Sequence, residues 1–296
     1  TTNDAWKRLI NFLMTTSNLS FRDLEIPHFK NVLEIIDQVL TSFGISYYLI
    51  GVNAISLEFL EKGYKPHRAT KDIDFAIMIS SLSDFKQIVS ELKKRGFNKV
   101  KAPWTLAHEK WNIVIDLLPF GEIEKHDKEG FNEIYTDLHV LGFKEVMEEA
   151  SEITVENIEI RIPPLEGMVL LKLIAWSDRP EERDNDLNDI LWVIERFNEL
   201  EHENNMSQHW DLIPEPGNEE FDELIFSSRI LGRRLRPYLE KSDKLYKRIN
   251  ELLNENTVDP SQSNIAKHWA LKRDWSLEYG VKLLNSLKEG VMDKFE

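Results

Sequence analysis

The chain has 296 residues, of which 42% are apolar and 10% aromatic, and it contains no cysteine. This composition is typical of a folded protein, and the absence of thiols excludes disulfides, thiolate metal sites and cysteine nucleophiles. The formal net charge of −15 disfavours broad, nonspecific affinity for nucleic acid or anionic membrane, because the protein repels polyanions at long range. A polyanionic ligand therefore needs a local positive site.

The sequence also indicates the cellular compartment of the protein. No apolar run approaches the roughly 18 to 20 residues that cross a bilayer, and the first residues lack the pattern of a secretory signal. A reducing compartment fits a chain without cysteine. We expect a soluble, cytoplasmic protein with no membrane partner.

Helical and strand patterns alternate in the first half of the chain. Apolar spacing predicts helices over 4–14, 27–43, 53–60 and 83–95. Apolar runs and alternation predict strands over 47–51, 72–79 and 111–120, with shorter ones near 97–101, 105–109 and 153–162. Such alternation indicates an α/β or α+β domain, and we predict the α+β form with a mixed sheet.

The second half is predicted to be mainly helical. Helical patterns cover 165–177, 184–200, 219–238, 242–254 and 274–294. The polar stretch 202–218, with two prolines and a glycine, predicts a loop. We place a boundary near 160, which gives a first domain over 1–160 that includes the N-terminal helices and a helical domain over 161–296.

The clearest strand carries two aspartates on one face. Asp72 and Asp74 alternate with the apolar Ile73 and Phe75, so their Cα atoms lie roughly 6 to 7 Å apart. Carboxylates at this distance repel each other unless a cation or a shared proton lies between them, and magnesium prefers such hard oxygen ligands. The alternative is a solvated strand face, which is the commoner meaning of an Asp-x-Asp pair.

Two further features strengthen the metal interpretation. The strand at 47–51 runs through Gly51 into a helix, whose first backbone N–H groups and dipole favour a phosphate. Asp116 ends the apolar run NIVID in the strand predicted over 111–120, and three carboxylates converge if that strand lies beside the Asp72 strand. Metal-assisted phosphoryl or nucleotidyl transfer needs such a set, including a carboxylate that can accept the proton of the nucleophile. Taken singly, each feature also reads as an ordinary turn.

A lysine in the helical half lies in an apolar setting. Lys172 is part of MVLLKLIAW, and an ammonium in a buried helix needs a partner. Asp186 and Asp189 share a face of the following helix, so either can pair with it. The alternative is a lysine that reaches water and two aspartates that favour the helix dipole.

A basic segment follows in an otherwise acidic chain. Eight basic and only two acidic residues lie between Arg229 and Arg248. The segment is either a binding surface for RNA or a triphosphate, or a helix face whose cations pair with the surplus acids of the protein.

Three motifs together resemble a known family. GVNA (51–54), RATKDIDFAI (68–77) and VID (114–116) resemble the glycine turn, Asp-x-Asp strand and third aspartate of polymerase-β-like nucleotidyltransferases. With KLIAWSDRPEERDNDLNDI (172–190) downstream, the chain is similar to the AbiEii/MenT-like branch, known from toxin–antitoxin and phage-defence systems. The resemblance spans about 45–200.

The resemblance implies a mixed-sheet nucleotidyltransferase domain and a helical domain that closes the active cleft. It assigns metal binding, by Mg²⁺ or alternatively Mn²⁺, to Asp72, Asp74 and Asp116. It assigns nucleotide binding to Gly51, Val52, Asn53, Arg68, Lys71, Lys172 and Asp186, and catalytic roles to the three metal-binding aspartates, Lys172 and Asp189. The family commonly has Gly-Ser or Gly-Gly where this chain has Gly51-Val52, so the turn geometry is in question, and Asn53 or Ser56 is a candidate for the missing polar contact.

The implied reaction is attack by an acceptor hydroxyl on the α-phosphorus of a nucleoside triphosphate, with pyrophosphate leaving. The branch suggests a tRNA 3′ end or a protein as the acceptor, with a small molecule as a further alternative, and a cognate antitoxin as a partner. Two other classes of protein remain open: a catalytically silent protein that binds nucleotide or a partner, and a scaffold or antitoxin-binding protein whose acidic surface recognises a basic partner.

Overall fold

The computed structural model describes residues 19–66, 68, 70–100, 102–123, 140–215 and 221–293. The chain divides into two compact units. Within the described residues, the first unit comprises 19–123 and Glu149–Pro163, and the second comprises 140–148 and the residues from Pro164 onward. The helix predicted over 4–14 lies outside the described residues, and the domain boundary near 160 stays a prediction.

The first unit combines helices and strands. Its helices are α1 (Phe29–Ser42), α2 (Gly51–Glu61) and α3 (Leu82–Lys94). Its strands are β1 (Tyr47–Ile50), β2 (Asp72–Met78), β3 (Phe97–Lys99), β4 (Thr105–His108), β5 (Ile113–Phe120), β6 (Ser151–Val155) and β7 (Ile158–Ile162). Single 3₁₀ turns cover Phe21–Leu24 and Glu109–Trp111.

Five strands form one sheet in the order β1-β2-β5-β4-β3, and β6 and β7 form a separate hairpin. Strands β2 and β5 are parallel, whereas the other neighbours in the sheet are antiparallel. The sheet is therefore mixed, and the α+β fold class is confirmed. The apolar side of β2 is in the core, since Ile73 and Phe75 are fully buried.

The second unit is helical in its described residues. Its helices are α4 (Phe143–Met147), α5 (Leu165–Asp178), α6 (Asp184–Leu200), α7 (His202–Gln208), α8 (Glu223–Glu240), α9 (Asp243–Glu255), α10 (Asn264–Arg273) and α11 (Leu277–Met292). Further 3₁₀ turns cover Trp210–Leu212 and Pro260–Gln262. Every helix in the described part of the chain lacks the combined length and apolarity needed to cross a membrane.

The loop prediction over 202–218 is wrong for its first part, because α7 and a 3₁₀ turn lie there. Contacts distant in sequence stabilise this polar helix: the buried Asn205 donates to the carbonyl oxygen of Phe197 and accepts from Arg234 on α8. Helix α10 was not predicted. Ile265 and Trp269 are buried while Leu271 is 85% exposed, so the periodicity of this short helix is weak.

Candidate functional site

The glycine turn and the Asp-x-Asp strand meet in the first unit. Ile50, the last residue of β1, is the register partner of Asp74 on β2. Gly51 follows with a φ of +70°, and a Cβ atom there would lie 2.3 Å from Oδ2 of Asp74. Only glycine leaves room for this carboxylate, because it has no Cβ and adopts positive φ without strain. The carboxylate of Asp74 therefore lies directly against the turn.

Helix α2 begins at this turn. Its N-cap residue, Ile50, makes no side-chain capping hydrogen bond, and the first backbone N–H groups of a helix have no partner within the helix. Together with the helix dipole, they form a positive end that favours a phosphate. The side chain of Val52 is buried in the core, so the valine that departs from the family pattern is accommodated as a packing residue.

Asn53 links the helix to the strand. Its side chain is buried, and its Nδ2 donates to the backbone carbonyl oxygen of Asp72 at 3.0 Å. The amide thus holds the first turn of α2 against the start of β2. Ser56, the other polar candidate, is buried, and its hydroxyl has no hydrogen-bond partner in the described structure. Contacts of either residue with a nucleotide stay predictions.

The third aspartate lies level with the second. In the parallel pairing of β2 and β5, Asp74 is the register partner of Asp116, and neighbouring strands are about 4.8 Å apart. On the far side of β5, Asp116 is also the partner of Thr105 on β4. The Thr105 hydroxyl donates to Oδ1 of Asp116 at 2.5 Å. The sheet thus places Asp74, Asp116 and Thr105 in one row.

Thr105 was not predicted from the sequence as a site residue. Its position depends on the pairing of β4 with β5, and nothing in the sequence TLAH fixes that register. The only signal was a hydroxyl residue at the start of a predicted short strand, which is too common a feature to single it out.

Asp72 lies at the exposed start of β2, two residues before Asp74 and opposite Val114. Its backbone N–H donates to the hydroxyl of Thr70 at 3.2 Å. Of the predicted phosphate-binding cations before it, Lys71 is exposed and Arg68 half-buried.

Carboxylate oxygens suit a hard cation such as Mg²⁺. Because Asp74 lies against the turn, its carboxylate and a phosphate at the turn would be close enough to bind the same ion. Among the described residues, however, no three His, Cys, Asp or Glu side chains form a group that could hold a metal ion. The aspartates thus supply suitable donors on two adjacent strands, and metal binding by all three stays a proposal.

The second unit contains a buried ion cluster. Lys172 on α5 is only 8% exposed, and its Nζ lies 2.8 Å from Oδ1 of Asp186 and 2.8 Å from Oδ2 of Asp189 on α6. Asp189 is fully buried, and Arg183 contacts the other oxygen of Asp186 at 3.2 Å. The predicted pairing is confirmed with both aspartates, and Lys172 does not reach water as the alternative proposed.

Electrostatics keep this lysine charged. Burial disfavours the ammonium, but the charges of Asp186 and Asp189 and their hydrogen bonds outweigh it and raise the pKa of Lys172 above its ordinary value. Lys172 is therefore a cation at physiological pH and is suited to electrostatic stabilisation rather than to proton transfer.

The basic segment between Arg229 and Arg248 pairs with acids. Arg229 and Arg233 both contact Asp293, at 2.7 and 2.6 Å. Other pairs are Arg233 with Asp211, Arg234 with Glu201, Arg236 with Glu240, Lys241 with Glu148, Lys247 with Glu251 and Arg248 with Asp178. The structure therefore favours the second interpretation of this segment, in which its charge is neutralised within the protein.

Comparison with known proteins gives only distant likenesses. No family model and no curated protein matches the sequence. Among solved structures, the fold is similar to an antigenic nucleotidyltransferase-like protein from Paracoccidioides brasiliensis, with 16% identity, coverage of 77% of this chain and 94% of that chain, and a TM-score of 0.38. It is also similar to the antibiotic-resistance factor ANT(2'')-Ia, with 10% identity, coverage of 58% and 95%, and a TM-score of 0.35. With TM-scores below 0.5, neither protein's activity is transferred to this chain.

Proposed function

We propose that the chain is a metal-dependent nucleotidyltransferase, which transfers a nucleoside monophosphate from a nucleoside triphosphate to an acceptor hydroxyl. The observation that carries this proposal is the contact between the Asp74 carboxylate and the turn at Gly51, with Asp116 level with it on the next strand. A helix N-terminus beside two carboxylates combines a phosphate site with a cation site.

The candidate site residues of the first unit each have a role in this proposal. The turn at Gly51 and the backbone N–H groups that follow it bind the triphosphate, and Arg68 and Lys71 neutralise its charge. Asp72, Asp74 and Asp116 would hold Mg²⁺ or Mn²⁺, which when bound supplies Lewis-acid stabilisation of the phosphate oxygens. Asp116 accepts the proton of the acceptor hydroxyl, the bond from that oxygen to the α-phosphorus forms, and pyrophosphate leaves.

The remaining features of the proposal rest on the motif resemblance. Lys172 contacts the nucleotide phosphates, and Asp186 and Asp189 order it. The acceptor is a tRNA 3′ end, a protein or a small molecule, and the biological role is that of a cytoplasmic toxin in a toxin–antitoxin or phage-defence system. A neighbouring gene that encodes a small regulator would support that role. Co-purification of its protein product with this chain would identify that product as the antitoxin.

The test uses triphosphates labelled at either end of the phosphate chain. Each of the four nucleoside triphosphates, labelled at the α-phosphate, is incubated with magnesium, the protein and either total RNA or a protein extract. We expect one α-label to enter the acceptor and the corresponding γ-label to appear in pyrophosphate. Asp74→Asn should reduce transfer at least 100-fold, since a metal-binding carboxylate is lost.

Glu159→Gln is a matched control, because it removes one exposed carboxylate from β7 in the same unit. This variant should transfer at the wild-type rate. Undiminished transfer by Asp74→Asn would refute the proposed site, and release of γ-label as inorganic phosphate would indicate a hydrolase.

The main alternative is a catalytically silent protein that binds nucleotide or a partner with the same fold. Titration calorimetry with a triphosphate and magnesium, followed by a pyrophosphate assay, separates the two. Binding without pyrophosphate release in the presence of RNA, protein and small-molecule acceptors would favour the silent protein.

The hydrogen bond from Thr105 gives a separate prediction. Thr105→Val keeps the shape of the side chain but removes the donor to Asp116, so we expect kcat to fall roughly 10- to 100-fold, as for other partners of metal-binding side chains. Thr105→Ser keeps the hydroxyl and should restore most of the rate. Steady-state kinetics across pH check this, because losing a donor to the carboxylate should also move the acidic limb of the kcat profile to higher pH. An unchanged profile in Thr105→Val would show that the hydroxyl does not act through Asp116.

A further inference from the structure

A second row of side chains lies beside the aspartate row on the same face of the sheet. Strand register places one residue from each of four neighbouring strands in this row: Asp72, Val114, Ala107 and Asn98. Val114 comes two residues before Asp116 on β5, and Ala107 two residues after Thr105 on β4. Side chains at this spacing share a face, and their Cα atoms lie about 6 to 7 Å apart. We call Val114, Ala107 and Asn98 the flanking row.

The flanking row is accessible from solvent. Asn98 is exposed, and the other two residues are half-buried. The row on the other side of the aspartates is more covered, since Tyr48 and Ala76 are buried and Leu118 is half-buried. On the opposite face of the sheet, the residues next to the flanking row in sequence are fully buried: Ile73, Ile115 and Leu106. A molecule that reaches the aspartates along the sheet therefore has room over the flanking row.

The direction of attack places the acceptor on this side of the site. In the proposed function the triphosphate lies at the N-terminus of α2, which directly follows β1. The leaving pyrophosphate is then on the β1 side of Asp74. In an in-line displacement at phosphorus, the attacking oxygen approaches opposite the leaving oxygen. Beyond Asp116 on that opposite side, the sheet continues as β4 and β3, which carry Ala107 and Asn98.

We propose that Val114, Ala107 and Asn98 bind the acceptor, and that the acceptor group is an uncharged alcohol or phenol with an apolar face. This inference rests on the proposed function and deepens it. The small apolar side chains of Val114 and Ala107 form a shallow surface on which an apolar face loses contact with water. The amide of Asn98, at the outer end of the row, can donate and accept hydrogen bonds.

The charge of this face favours an uncharged acceptor. The side chains that β2, β3, β4 and β5 present on it include three aspartates and, among these described strands, no lysine or arginine. Lys99, the neighbour of Asn98, is in register with Leu106 and so lies on the opposite face. An acceptor rich in phosphate would find no cation on these strands to pair with.

A single introduced thiol tests the position of the acceptor. The chain contains no cysteine, so Ala107→Cys carries one thiol, which is labelled with pyrene maleimide after the protein has folded. Labelling should lower nucleotide transfer at least roughly tenfold relative to the same variant before labelling, because the pyrene displaces the acceptor. The affinity for a triphosphate that is non-hydrolysable between its α- and β-phosphates, measured with magnesium by calorimetry, should change less than about twofold.

Ser90→Cys is the matched control, because Ser90 is exposed on α3 and lies outside the flanking row. Its transfer rate should be the same before and after labelling. Undiminished transfer by labelled Ala107→Cys would overturn the proposed surface. So would an equal loss of affinity for the triphosphate, which would assign the flanking row to the nucleotide instead.

Two long side chains of opposite charge test the chemistry of the acceptor. Ala107→Lys and Ala107→Glu should both raise the apparent KM for the acceptor, by roughly tenfold and to similar extents. Total RNA, protein extract and the low-molecular-weight fraction of the same cells are offered separately. Label in protein or in the small-molecule fraction supports the proposal and identifies the source of the hydroxyl. Faster transfer by Ala107→Lys than by the wild type, or label in RNA alone, would overturn the assignment to an uncharged acceptor.

Asp74→Asn separates the acceptor surface from the proposed function. If this variant loses transfer while labelled Ala107→Cys keeps it, the enzyme stands and only the acceptor surface is refuted. A wild-type chain that neither binds the triphosphate nor transfers label refutes both, since the acceptor surface depends on the reaction.

Discussion

Lys172→Met is expected to lower the free energy of unfolding by about 3 to 5 kcal/mol, because it removes the ammonium that both Asp186 and Asp189 contact in a low-dielectric interior. Asp189 is fully buried and Asp186 nearly so, so water can solvate neither well. Urea denaturation at neutral pH measures the loss. The measurement concerns stability and is independent of any catalytic role of Lys172.

The pH dependence of this loss has a definite sign. The folded pKa of Lys172 is raised above 10.5, so its contribution is fully present below that ordinary value and disappears only as the pH rises through the higher folded value. The deficit of the variant should therefore be constant between about pH 6 and 9.

A charge-balanced variant separates the ion cluster from simple packing. Lys172→Met combined with Asp189→Asn removes one charge of each sign, leaves Arg183 paired with Asp186, and should recover much of the lost stability, since replacing both partners of a buried ion pair often costs little. A deficit below about 1 kcal/mol in the single variant would contradict the account of Lys172 as the buried partner of both aspartates.

Gly51→Ala is expected to reduce nucleotide transfer at least 100-fold. The added Cβ would lie 2.3 Å from Oδ2 of Asp74, so the carboxylate must move, and a displacement of about 1 Å at a reacting centre costs about 100-fold in rate. The positive φ adds about 1 to 3 kcal/mol of backbone strain for a residue other than glycine. Transfer assays and urea denaturation of the same preparation measure both effects.

Gly44→Ala is the matched control for that strain. Gly44 also has a positive φ, of +66°, but no atom lies within 4 Å of a Cβ built there. It should therefore lose comparable stability while keeping its transfer rate. If Gly51→Ala retained activity, or if both variants lost it equally, the proposed role of the turn at Gly51 would be wrong.

Much of the first unit was predictable because its elements have strong local signals. The alternation that buries Ile73 and Phe75 predicted β2, and the glycine after the apolar β1 predicted the turn into α2. The sequence did not predict that β5 lies beside β2, because strand order depends on the packing of distant segments. The structure supplies the register that places Asp74 beside Asp116.

Other features depend on contacts that local sequence does not encode. Thr105 was missed because its partner is set by the pairing of β4 with β5. The role of Asn53 as a link to the Asp72 carbonyl depends on how α2 lies against β2. The basic segment could not be interpreted from its own composition, because one of its main acidic partners, Asp293, lies 60 residues or more further along the chain.

The most direct test of the central claim is a crystal structure of the protein with Mn²⁺ and a triphosphate that has a non-hydrolysable bond between its α- and β-phosphates. Manganese takes the oxygen ligands that magnesium takes, and its anomalous scattering locates it independently of the protein. We expect an anomalous peak within coordination distance of Asp74, with the phosphates at the N-terminus of α2. A triphosphate bound elsewhere, or manganese away from Asp72, Asp74 and Asp116, would contradict it.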